Sequence, residues 1–153
     1  LDKLKNRKGI KYCEYAMGVT EDFQPCGFKD EKVWFRGIAD LLVIDGKRAL
    51  YVDYKTGANA KYADPDQLEL MALAVFAHFP EVEKVEGGLF FVIARAYVKE
   101  KYFVRDRGDM WLRWVTAYNQ LQNSFKSGVW NPRTSGLCKK HCPVLTCPHN
   151  GRN

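Results

Sequence analysis

Two apolar runs separated by one short polar turn constrain this chain more than any other feature. Val33-Trp34-Phe35-Arg36-Gly37-Ile38-Ala39-Asp40-Leu41-Leu42-Val43-Ile44 and Ala49-Leu50-Tyr51-Val52-Asp53-Tyr54-Lys55 flank Asp45-Gly46-Lys47-Arg48. Both runs are rich in β-branched, aromatic and aliphatic residues, and Asp-Gly between such runs is a strong hairpin signal. Two registers are open. If Gly46-Lys47 forms the two-residue loop, Asp45 pairs with Arg48 and Asp40 lies opposite Asp53; if Asp45-Gly46 forms it, Asp40 faces Tyr51 and lies diagonal to Asp53. In both, alternation puts Asp40 and Asp53 on one face, adds Lys55 two residues on, and turns Tyr54 away. A three-residue loop would shift the parity and break the arrangement.

Two carboxylates facing each other across a ladder repel. A hard divalent cation offsets that repulsion: Mg²⁺ takes oxygen ligands, keeps several waters and leaves room for a substrate phosphate, whose oxygens it polarises. Lys55 is then placed to orient or help deprotonate the attacking water, or to stabilise charge in the transition state. The residues outline a site for metal-assisted phosphodiester hydrolysis. Asp-x-Lys alone would be read as an exposed ion pair; Asp40 in register on the partner strand favours the catalytic reading.

Asp64-Pro65-Asp66-Gln67 reads as a helix start, with Asp64 as the cap, Pro65 at the first helical position and Gln67 at the third. The helix that follows, Leu68 to Phe79, is apolar on nearly every side, interrupted by Glu69 and His78, and is expected to be buried. It stops at Pro80, and His78 reads as a helix-end histidine, not a ligand. Gly88 to Ile93 fits a buried strand and Ala96 to Val104 its neighbour. Asp109 can cap a helix running through Trp111, Leu112, Trp114, Val115, Tyr118, Leu121 and Phe125 to Gly128. Its aromatics read as core; Tyr54 and Tyr62 are better placed to touch a substrate. The sum is an α/β chain.

With 153 residues, 46% of them hydrophobic, the chain is long enough for one ordinary domain. No apolar run approaches the ~18 to 20 residues of a membrane helix, and no signal-peptide pattern is present, so a cytoplasmic location is expected. A formal net charge of +6 suits a polyanionic partner. Basic residues concentrate in Lys3-Lys5-Arg7-Lys8-Lys11, in Lys99-Lys101-Arg105-Arg107, and in Lys139-Lys140 with Arg133. Each cluster can neutralise backbone phosphates of DNA without reading sequence.

Gly37-x-x-Asp40, then Asp53-x-Lys55-Thr56-Gly57, then Gln67 opening a helix, resembles the PD-(D/E)xK nuclease superfamily, in particular its RecB-type branch with phage exonucleases. The motifs cover about residues 30 to 80. The resemblance implies a restriction-endonuclease-like core, a central mixed β-sheet flanked by helices, with a cysteine-rich C-terminal cap. It implies Asp40 and Asp53 as ligands of Mg²⁺ or Mn²⁺, with the Tyr54 backbone carbonyl completing the site, Lys55 as the catalytic lysine, and Gln67 as a catalytic-site glutamine. It implies a DNA exonuclease of recombination, repair or phage replication, working in the cytoplasm of a bacterial or phage-infected cell. The branch's upstream histidine has no counterpart, since His78, His141 and His149 all lie downstream, and Met71 stands where the glutamine motif ends in tyrosine. As the chain starts at Leu1 without methionine, the expectation is a domain lacking its upstream helix. An inactive nucleic-acid-binding module of the same fold is the alternative.

The segment Cys138 to His149 holds Cys138, Cys142, Cys147, His141 and His149, a density of ligands with turn-forming prolines. Three readings stand side by side. Relatives of the branch hold an iron-sulfur cluster with one upstream cysteine, here Cys13 or Cys26, although the Cys-x3-Cys-x4-Cys spacing differs from theirs. A structural Zn²⁺ on Cys138, Cys142 and Cys147, with His149 or an upstream cysteine, is chemically sound. Reduced thiols closing a C-terminal cap, or a disulfide, form the third. A bound metal without cutting would point to an interaction module that docks a protein partner. Five cysteines and no secretion signal favour a reducing compartment.

Overall fold

The computed structural model describes residues 6–152, apart from the Tyr62 side chain. The Lys3 and Lys5 positions of the first basic cluster, and Tyr62 as a substrate contact, therefore lie outside the described residues. Six strands form one mixed sheet among the described residues: β1 (Ile10–Thr20), β2 (Pro25–Cys26), β3 (Val33–Asp45), β4 (Arg48–Lys55), β5 (Lys84–Phe91) and β6 (Ala96–Phe103), in the order β2-β1-β3-β4-β5-β6. Only β4 and β5 run parallel. A parallel pair requires a long crossover, and it is supplied by helix α1 (Pro65–His78). Helices α2 (Arg107–Ser127) and α3 (Gly136–Lys140) follow. This is the mixed sheet with flanking helices expected from the sequence.

The hairpin adopts the first of the two registers. Asp45 pairs with Arg48, and the ladder runs to Leu41 opposite Val52. Gly46 takes φ +55 at the first loop position, the demand of a type II′ turn, and no Cβ there would meet an obstacle.

The ladder between β3 and its neighbour β1 is irregular at two levels, a register shift between Val19 and Thr20 and, nearer the middle, a change of face. Cys13 pairs with Leu41 and Tyr15 with Ala39, but Glu14 and Asp40 between them do not pair, and Glu14 has φ +51. Tyr12 and Tyr15, three residues apart, both pack against Phe79, and Ala39 and Leu42 both enter the main core. Each strand thus changes face at this level, and Asp40 sits on the switch.

The core lies between the sheet and α1, with Met17, Leu42, Tyr51, Leu68, Leu73, Val75, Phe76 and Leu89 buried in it. Val43, Leu50 and Val52 bury on the opposite face beside Leu41 and Phe90. Buried on both faces, β4 reads as a continuous apolar run. Asp64 caps α1, its carboxylate accepting from the Asp66 N–H at 3.0 Å, and Pro65 occupies the first turn, as the sequence predicts. His78 ends the helix with its Nε2 2.8 Å from the Gly18 carbonyl oxygen.

Some boundaries, and one whole strand, differ from expectation. β5 spans Lys84 to Phe91, so Val92 and Ile93 belong to the turn before β6. α2 begins at Arg107, after a 3-10 turn over Val104–Asp106, so Asp109 lies inside the first helical turn instead of capping it. β1 was not expected: the face switch at Glu14 breaks its period, and an exposed first half hides the apolar positions.

The contacts divide the chain into two compact units, Leu1–Thr116 and Ala117–Asn153. Within the first, Met110 of α2 is buried and Trp111 packs edge-on against Phe23 and tilted against Trp34, each at 4.8 Å between ring centroids. Within the second, Gly128 at φ +70 ends α2, its N–H donating to Ser124 at 2.9 Å, and Phe125 packs edge-on against Trp130.

A methyl group on Gly87 would lie 2.5 Å from the Tyr51 hydroxyl and 2.7 Å from its ring. Tyr51 is fully buried and cannot yield. Gly87→Ala is expected to lower stability by about 1–3 kcal/mol, the usual cost of overpacking, read as a shifted urea midpoint.

Candidate active site

The site forms where β3 and β4 part. Beyond the Leu41–Val52 pair the ladder stops, and the next backbone donor of β4 facing β3, the Tyr54 N–H, goes to the Asp40 carboxylate at 2.6 Å. Asp40 thus replaces a strand carbonyl. It does so because the face switch turns its side chain away from simple alternation. On the other edge the Lys55 carbonyl accepts from the Val92 N–H at 2.9 Å, so β4 stays fixed to β5. The N–H and C=O of one strand residue share an edge, which puts the Tyr54 carbonyl beside the same opening.

Asp53 and Lys55 share a face, as alternation demands, with Lys55 Nζ 2.8 Å from Asp53 Oδ2. The contact meets the distance for an ion pair but not the direction of a hydrogen bond, and that oxygen, itself buried, has no hydrogen-bond donor among the described residues. Tyr54 points to the opposite face, its ring edge-on to Phe90 at 6.1 Å. Beneath the carboxylate, the Tyr51 hydroxyl donates to the Leu68 carbonyl at 2.5 Å and ties the first turn of α1 to β4. Burial first, then Tyr102, Asp53 and Tyr97, push the Tyr51 phenol well above its ordinary pKa of 10.0, keeping it a donor.

Gln67 is one residue before that anchor. Its Nε2 donates to the Asp64 carbonyl at 3.1 Å, so the side chain does reach back to the cap residue, but to the carbonyl and not to the N–H of a capping box. The structure therefore gathers Asp40, Asp53, Tyr54 and Lys55 at the end of β4 and leaves Gln67 bonded within its own helix start.

Glu69 was passed over in the sequence as an interruption of an apolar helix. It is 8% exposed, receives the Trp114 indole N–H at 2.9 Å and pairs with Arg113, fastening α2 to α1. A lone acid inside an otherwise apolar helix is the signal, because a buried charge demands partners.

Among the described residues no three His, Cys, Asp or Glu side chains gather closely enough to hold a metal ion. Cys138, Cys142 and Cys147 are accordingly not assembled as a ligand set, and no disulfide joins described cysteines. The local backbone explains this: α3 ends at Lys140, so Cys142 leaves the helix that carries Cys138, whose sulfur instead accepts from the Ser135 N–H at 3.4 Å. The β4 site offers a different set, two carboxylates and a backbone carbonyl. Mg²⁺ is commonly held through one or two carboxylates with waters in the remaining positions, and the buried, donor-less Asp53 oxygen fits such an ion.

The sequence matches the PD-(D/E)XK nuclease superfamily over residues 2–147. The chain belongs to that superfamily. No curated protein matches it. Among solved structures, the crystal structure of SSO0001 is similar, with 16% identity and a TM-score of 0.43, over 92% of this chain and 61% of that one. The chain thus spans less than two thirds of that relative. The superfamily is one of nucleases, and none of the described helices is long and apolar enough to cross a membrane.

Replacing Asp40 by leucine removes the acceptor of the Tyr54 N–H and is expected to cost about 1–3 kcal/mol, whereas asparagine keeps an acceptor oxygen and costs less than about 1 kcal/mol. Urea titrations of the two variants measure the difference.

Proposed function

We propose that this chain is a divalent-metal-dependent deoxyribonuclease that hydrolyses phosphodiester bonds with Mg²⁺ or Mn²⁺, and that it acts as an exonuclease in recombination, repair or phage replication. The observation that carries the reading is the meeting of Asp40 and Asp53 around the Tyr54 peptide at the open end of the β3–β4 ladder, in a chain of a nuclease superfamily. The exonuclease role is supported by the likeness of Asp53-Tyr54-Lys55-Thr56-Gly57 and Gln67 to the RecB-type branch. A cytoplasmic location follows from that role.

Asp40, Asp53 and the Tyr54 carbonyl are the residues that would hold the ion. When bound, it polarises the phosphoryl oxygens and makes water a stronger acid. The two carboxylates would hold it at a rigid strand end, and that rigidity also fixes where Lys55 meets the scissile phosphate. Lys55, held 2.8 Å from Asp53, keeps its ammonium at the mouth of the site, where it orients the attacking water and offsets negative charge on the phosphoryl oxygens. Gln67, released from the Asp64 carbonyl, donates to the substrate from the start of α1. Cations such as Arg7 and Lys101 give the affinity for the polyanion.

Cleavage of end-labelled single- and double-stranded DNA in Mg²⁺, Mn²⁺ or EDTA tests this. Metal-dependent cutting is expected, reduced at least about 10²-fold by Asp53→Asn and by Lys55→Ala, on the scale typical of lost transition-state contacts. A product ladder shortening from one end is expected of an exonuclease; internal fragments would refute that role. Cutting indifferent to both substitutions would remove the site assignment.

A further inference from the structure

The end of the sheet remote from Asp53 carries a cleft of about 150 Å³ that the hydrolytic site does not use. Arg48 opens β4 there, Lys84 opens β5, Lys101 stands near the end of β6, and Arg7 approaches from ahead of β1, with Glu86 as the one acid in the lining. Arg48 and Lys84 are neighbours in the parallel ladder, as Glu86 and Lys101 are in the antiparallel one. Alternation sets Arg48 with Leu50 and Val52, and Lys84 and Glu86 with Phe90, on the face opposite α1.

Like charges in register destabilise a sheet; Glu86 opposite Lys101 offsets one of these cations, and no other described acid lines the cleft. Glu83 is paired with Lys47 at 2.5 Å and Asp106 with Arg105 at 3.6 Å. Among the described residues Arg7, Arg48, Lys84 and Lys101 make no ion pair. The Lys84 ammonium is held over the Phe103 ring, 5.5 Å from its centroid. Cations from three adjacent strands converging on a small cleft need an anion with several acceptor oxygens, and a phosphate group has that chemistry.

We propose that this cleft binds a backbone phosphate of the polynucleotide whose bond is cut at the far end of β4. Five residues separate Arg48 from Asp53 on one strand, about 16 Å at ~3.3 Å per residue. That odd separation puts the cleft and Asp53 on opposite faces of the sheet, so a nucleic-acid strand must pass around the sheet and needs more than the about five nucleotides that the direct distance would take at ~3.4 Å each. The cleft therefore acts as a distal anchor, which long strands reach and very short ones do not. The identity of the ligand rests on the nuclease reading; the phosphate chemistry rests on the cleft.

Binding is measured by fluorescence anisotropy in EDTA, so that no cutting occurs, with a long labelled oligothymidylate, a labelled trinucleotide, and inorganic phosphate followed by calorimetry. The triple variant Arg48→Gln, Lys84→Gln, Lys101→Gln is compared with a charge-matched control, Lys29→Gln, Lys32→Gln, Lys126→Gln. The first triple is expected to weaken the long strand at least about tenfold at low salt and to lower the salt slope by about 2, at ~0.7 per single-strand contact. The trinucleotide is unaffected and the control loses little. Arg48→Lys, which keeps the charge, keeps the slope, separating lost charge from lost fold. Loss for the strand alone assigns the cleft to the backbone; parallel loss of inorganic phosphate shows that it also takes the free anion. Unchanged strand affinity in the first triple, or equal loss in the control, overturns the proposal. A chain that binds this way and never cuts sinks the nuclease reading alone; one that cuts with an unchanged slope in the triple sinks the anchor alone.

Discussion

The arrangement at the active end of β4 depends on one backbone event, the simultaneous change of face in β1 and β3 at Glu14 and Asp40. Had both strands alternated without interruption, Asp40 would stand over Asp53, and the two carboxylates would repel across a continuous ladder. The left-handed φ of Glu14 and the missing pair beside it let the carboxylate swing into the plane of the sheet, where it takes the Tyr54 N–H. The ladder ends there because Asp40 has taken the place of the next strand carbonyl. An opening is created between two strands otherwise locked by their apolar side chains.

The rest of the first unit holds that opening still. β4 is bonded to β5 through the residue after Tyr54, and it is buried on both faces just before Asp53. Tyr51 joins its core face to the first turn of α1, and Gly87 leaves the room its ring requires. Glu69, Arg113 and Trp114 fasten α2 to α1 from the other side. Rigid elements on each side are what a site needs if it is to place a phosphate to within a fraction of an ångström.

The hairpin was legible in the sequence because Asp45-Gly46 between two apolar runs admits few turns, but two registers stayed open, and the Asp45–Arg48 pair chooses between them. The α1 start was legible for the same reason: Asp64 and Pro65 have local jobs that tertiary context does not alter. Lys55 beside Asp53 follows from period two alone. What could not be read was the path of β1, where the residue that breaks the period is an ordinary glutamate, and the bond from Asp40 to a backbone N–H, which parity counting forbids. The three C-terminal cysteines suggest a ligand set by density; Cys138 lies inside the five-residue helix that ends at Lys140, and Cys142 follows it.

The central claim is that Asp40 and Asp53 together hold a divalent ion at the open end of the ladder. Calorimetric titration of Mn²⁺ into the chain, with Asp40→Asn and Asp53→Asn beside it, tests this without any substrate. One site is expected, weakened at least about tenfold by each substitution, in line with the loss of a carboxylate ligand. Equal Mn²⁺ affinity in all three proteins would contradict it.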